Sequence, residues 1–84
     1  MEIIPHKFLH VEDAMYLEDY KIFLKMDDGS YGIVDLEKEL WGEAFEPLKD
    51  KELFKQVKVD EILGTIAWPN GADLSPEFLR ENLR

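Results

Sequence analysis

Residues 20–34 carry the pattern that most restricts the fold: Tyr20-Lys21-Ile22-Phe23-Leu24-Lys25-Met26, then Asp27-Asp28-Gly29-Ser30, then Tyr31-Gly32-Ile33-Val34. Successive side chains of an extended chain point to opposite faces. Tyr20, Ile22, Leu24 and Met26 therefore share one face and Lys21, Phe23 and Lys25 the other, as in a half-buried antiparallel strand. Phe23, on the polar face, is expected to lie between lysine stems or beneath a helix. Asp-Gly between two β-rich runs fits a tight primed turn, since glycine takes positive φ freely and aspartate bonds its own backbone. The segment reads as a β-hairpin.

Elements on either side complete a small sheet with helices. Phe8, Leu9 and Val11 interleave with His10 and Glu12, which reads as a strand over Phe8–Glu12, with Met15–Asp19 turning the chain toward the hairpin. Asp35 is placed to cap a short helix from Leu36 to Leu40 or Trp41, ended by a left-handed Gly42. Phe45-Glu46-Pro47-Leu48 reads as extended, because a residue before proline is pushed from helical angles. Asp50 caps a second helix, Lys51–Gln56; Val57–Asp60 and Thr65–Trp68 read as strands, with Glu61–Gly64 turning between them. Ser75-Pro76-Glu77 starts a last helix: an N-cap, a proline in its first turn and an acid near the positive end of the dipole.

The expected fold class is thus α+β: an antiparallel sheet of four or five strands with two or three short helices packed on it. Eighty-four residues leave room for one core. The reading is a single domain, 1–84, without linker or appended helix-turn-helix. The formal net charge of −9, of which −6 falls in residues 1–42, repels phosphate backbones and anionic lipid. Nucleic-acid binding by this chain alone and membrane-surface binding are disfavoured, and a basic protein partner is favoured. No cysteine is present, which removes disulfides, thiolate zinc sites and a cysteine nucleophile. The N-terminus has no signal-peptide pattern and no apolar run approaches a membrane span, so the expected location is cytoplasmic.

Catalytic, metal and cofactor residues are expected to be absent. His6 and His10 would stand about 13 Å apart on an extended strand, too far to share a metal. The two serines, Ser30 and Ser75, have structural explanations as a turn residue and a helix cap. Asp27-Asp28 lacks the alternating oxygen ligands and terminal glutamate of a calcium loop. An enzyme would need His10 or a carboxylate pair set in a pocket.

Gly64-Thr65-Ile66-Ala67-Trp68-Pro69-Asn70-Gly71-Ala72-Asp73, with the Asp28-Gly29 hairpin, Val34-Asp35-Leu36 and Phe45-Glu46-Pro47-Leu48-Lys49-Asp50 through Leu53-Phe54, resembles the prokaryotic Domain of Unknown Function 2442 family. The resemblance implies a compact α+β module, often encoded beside a second small uncharacterised protein as toxin–antitoxin pairs are. Some relatives append a helix-turn-helix. It implies no catalytic residue.

Trp68-Pro69-Asn70-Gly71-Ala72-Asp73 has two readings: a tight loop in which every residue serves a turn, or a recognition loop in which Trp68 offers an apolar face and Asn70 and Asp73 offer hydrogen-bonding groups. Trp41 either packs in the core or joins Trp68 and Phe45 in one aromatic surface patch. The candidate partner-binding residues are therefore Trp41, Phe45, Trp68, Asn70 and Asp73. The expected function is a non-enzymatic protein-binding module, adaptor or antitoxin-like. The alternative is a detached sensor or dimerisation domain that forms a homodimer through Trp41 and Phe45.

Overall fold

The computed structural model describes residues 9–84. Three strands, β1 (Val11–Glu18), β2 (Lys21–Met26) and β3 (Tyr31–Asp35), form an antiparallel sheet in the order β1-β2-β3. β4 (Lys58–Asp60) and β5 (Thr65–Ala67) form a separate antiparallel pair. The expected α+β class holds, but the five strands divide between two sheets. The backbone N–H of Val11 donates to the Gly64 carbonyl at 2.9 Å, which fastens the turn between β4 and β5 to the start of β1.

β1 corrects the reading of the N-terminal third. Residues 15–18, expected as a turn, continue the strand to Glu18, and the turn is only Asp19-Tyr20; Phe8 lies outside the described residues. Two bulges hid the strand. The pairing steps from Val11↔Met26 to Asp13↔Lys25 and from Tyr16↔Ile22 to Glu18↔Lys21, leaving Glu12 and Leu17 as extra residues. Each extra residue reverses the inward phase, so Val11 points inward in one phase while Ala14 and Tyr16 pack on the core in the other.

The hairpin between β2 and β3 forms with the expected faces: Ile22, Leu24, Met26 and Val34 are buried. Its loop is a three-residue one rather than the expected primed turn. Gly29 N–H donates to Met26 O, Met26 N–H donates to Ser30 O, and only Gly29 within it has positive φ, at 93°. Aspartates at the first two loop positions suit a type I turn followed by a glycine bulge. The same geometry returns after β5. Gly71 N–H donates to Trp68 O, Trp68 N–H donates to Ala72 O, and Gly71 has φ 91°.

Asp35 Oδ1 accepts from Glu37 N–H at 3.1 Å and starts a single 3₁₀ turn, Glu37–Glu39, which leaves Leu36 and Leu40 buried; Gly42, at φ 90°, redirects the chain. Residues 45–48, expected to be extended, instead lead from a helical Phe45 into a second 3₁₀ turn, Glu46–Lys49, that buries Leu48. Proline near a helix start has no N–H to lose, and that advantage outweighs the restriction on Glu46. α1 (Lys51–Phe54) begins at Asp50, whose Oδ1 accepts from Glu52 N–H at 2.9 Å, and ends earlier than expected. α2 (Pro76–Glu81) begins at Ser75, whose hydroxyl accepts from Phe78 N–H at 3.1 Å. Phe54 is buried at the centre, with edge-on contacts from Tyr16 and Tyr20 and a tilted contact with Trp68.

Candidate protein-binding surface

The five candidate residues do not form one patch. Trp68 is 4% exposed, with its ring centroid 5.6 Å from that of Phe54, and its Nε1–H donates to the Phe54 carbonyl at 2.8 Å. A buried indole must place its N–H, and here the end of α1 receives it. Trp68 thus offers no face to solvent, and the aromatic surface of two tryptophans with Phe45 does not form. Asn70 serves the fold at both ends of its amide: Oδ1 accepts from Ala72 N–H at 3.1 Å, and Nδ2 donates to the Ala44 carbonyl at 2.9 Å. Asp73 is exposed, and its backbone bridges to Ala67.

Trp41 is 69% exposed. It stands over an open groove of about 360 Å³ lined by Glu39, Gly42, Glu43, Ala44, Phe45, Leu74 and Phe78. Asn70 secures one wall through Ala44, and α2 supplies Phe78. Its lining is mostly apolar and includes two acidic residues, Glu39 and Glu43. Of the five residues, Trp41 and Phe45 line this groove.

A second exposed apolar area was not among the candidates. Met15, Phe23 and Ile33 sit side by side across the outer face of the three-stranded sheet, in register through Met15↔Phe23 and Phe23↔Ile33. Met15 and Ile33 are exposed, as are Leu17 and Tyr31, and Phe23 is half-buried. Phe23 rests against Tyr31 at 6.4 Å between centroids, is flanked by lysines in sequence, and does not belong to the core. The alternation of Met15 and Leu17 with Ala14 and Tyr16 was the available signal, and reading these residues as a turn removed it.

Electrostatics follow local contacts. The Ser30 hydroxyl, and then its N–H, hydrogen-bond Asp28, and Arg80 Nε lies 2.8 Å from Asp28 Oδ2; together they hold the Asp28 carboxyl below its ordinary range. Asp19, 3.0 Å from Lys51 Nζ, raises the Lys51 ammonium above its ordinary value. His10 donates its backbone N–H to Asp27 Oδ1 at 3.0 Å, and its ring lies against Gly64. It borders an open depression that also includes Glu12, Asp13 and Glu61. Among the described residues no cluster of three or more His, Cys, Asp or Glu side chains is spaced to hold a metal ion. Among the same residues no helix is long and apolar enough to cross a membrane.

Fold and surface define a small α+β module with an acidic-rimmed aromatic groove. The chain belongs to the family described as protein of unknown function (DUF2442), whose profile matches residues 11–84. No curated protein and no solved structure matches it.

Proposed function

We propose that this chain is a non-enzymatic, cytoplasmic protein-binding module, the adaptor or antitoxin-like member of a two-protein pair, and that its partner is basic. The groove beneath Trp41 carries this reading. A tryptophan left 69% exposed over Phe45, Leu74 and Phe78, with Glu39 and Glu43 at the edge, suits an apolar side chain flanked by lysine or arginine. The indole face attracts a cation, and exposed aromatics at a groove are the usual anchors of an interface. The net charge of −9 speeds encounter with a basic protein. The helix-capping roles of the Ser75 hydroxyl and the Asp50 carboxylate support a structural use of these two groups.

A homodimer through Trp41 and Phe45, the mark of a detached sensor domain, stands second. A two-fold axis through the groove would set Glu39 and Glu43 of one copy near those of the other, and like charges brought together oppose such an interface.

The test is affinity capture from the native host at low and high salt, followed by binding of the captured protein in purified form. A small basic protein is expected, bound at low salt, released as the Debye length shrinks from about 10 Å at 0.1 M to about 3 Å at 1 M, and not bound by Trp41→Ala. Equal binding by wild type and Trp41→Ala overturns the groove, and salt-independent binding overturns the electrostatic argument.

A further inference from the structure

β3 is the last strand of its sheet, so one row of its backbone groups faces away from β2. In an antiparallel ladder both groups of a residue point the same way and neighbours alternate. Ile33 N–H donates to the Arg84 carbonyl at 3.2 Å, and Arg84 N–H donates to the Ile33 carbonyl at 2.9 Å. Ile33 therefore faces outward, as do Tyr31 and Asp35, while Gly32 and Val34 pair with Leu24 and Ile22. Leu83-Arg84 thus makes one rung of an antiparallel edge strand. The fit is close and irregular: a Cβ on Gly32 would lie 2.7 Å from the Arg84 carbonyl oxygen and 3.4 Å from Leu83 Cβ. A regular strand leaves room for side chains along its neighbour.

The geometry points to the outer edge of β3 as a strand-addition site, which this chain's own Leu83-Arg84 fills and an extended segment of a protein partner takes over. The occupant's chemistry is set by what surrounds the edge. An open cavity of about 680 Å³, lined by Leu17, Glu18, Lys21, Ile33, Asp35 and Arg84, adjoins it. With Arg84 withdrawn, two carboxylates and one lysine remain around Leu17 and Ile33, and Lys21 is 3.7 Å from Glu18. The edge then favours a strand that brings back a cation beside an apolar residue. Main-chain bonds give such an addition its affinity, and the side chains set its selectivity. This inference is independent of the groove beneath Trp41.

The probe is the peptide acetyl-Glu-Asn-Leu-Arg-Thr-Val-amide, in which the residues after arginine reach Tyr31. Amide NMR spectra follow its binding to the full chain, to a chain ending at Asn82 and to Arg84→Pro. In the last, residue 84 has no N–H to give the Ile33 carbonyl, so the tail is loosened and β3 itself is untouched. Both opened chains are expected to bind roughly tenfold or more tightly than the full chain, because the tail no longer competes. Shifts should fall on Tyr31, Ile33 and Asp35. A peptide N-methylated at arginine, unable to donate to the Ile33 carbonyl, should not bind. If the shorter chain fails to fold, Arg84→Pro decides alone. Absence of shifts on β3 in the folded opened chains, equal binding of the methylated peptide, or shifts confined to the Trp41 groove overturns the proposal; the last result would support the groove reading instead.

Discussion

Trp41 and Trp68 sit on neighbouring loops and have opposite fates. Trp68 is 4% exposed and hydrogen-bonded to the end of α1, whereas Trp41 is 69% exposed over a groove. Asn70 joins the two loops through the Ala44 carbonyl. Residue type does not separate them, since both tryptophans stand beside a turn. What separates them is the available partner: β5 delivers Trp68 onto Phe54, while Gly42 turns the chain away just after Trp41. One loop is spent on the core and the other is left as surface.

Substitutions should widen this contrast. Trp68→Ala is expected to cost about 3–5 kcal/mol, from the cavity left beside Phe54 and the loss of a buried donor, and to abolish a cooperative melting transition near room temperature. A fall of less than about 1 kcal/mol in denaturant unfolding would show that Trp68 is not part of the core. Asn70→Ala removes two hydrogen bonds, worth about 1 kcal/mol each, and should also loosen the groove wall at Ala44, read as faster amide exchange at Glu46 and Phe45. Trp41→Ala should leave stability within about 0.5 kcal/mol of wild type, as for an exposed position, while removing partner binding.

The smallest effect concerns pH and the tie between the β2–β3 loop and α2. The Asp28 carboxyl is lowered in the folded chain, so its contribution is present above the ordinary carboxylate value near 3.8 and is lost as pH falls through the lower folded value. Asp28→Asn should lower stability at neutral pH, where the charged carboxyl contributes, have little effect below the folded value, and so flatten the acid limb between the two. An unchanged acid limb would remove Asp28 from the account.

Local chemistry was legible wherever one residue and its immediate neighbours decide the outcome. Ser75 and Asp50 cap as read, Asp35 accepts from Glu37 N–H but before a three-residue 3₁₀ turn whose N-cap is Leu36, Gly42 and Gly71 take positive φ, and β2 buries the face its alternation assigns. β1 was misread because bulges at Glu12 and Leu17 break the period, and a bulge depends on the strand opposite. Residues 45–48 were misread because the penalty before proline was weighed without the burial of Leu48.

The sequence by itself determined the hairpin, the Ser75 and Asp50 caps, the turn glycines, the acidic character and the family, because backbone angles, hydrogen-bonding side chains and charge act over a few residues. Only the tertiary structure decided that the strands split into two sheets, that Trp68 is core and Trp41 is surface, that Met15, Phe23 and Ile33 share an outer face, and that Arg84 closes the β3 edge. Those outcomes turn on which distant segment arrives to cover a side chain or a backbone edge, and the pairing of Ile33 with Arg84 joins residues far apart in the chain.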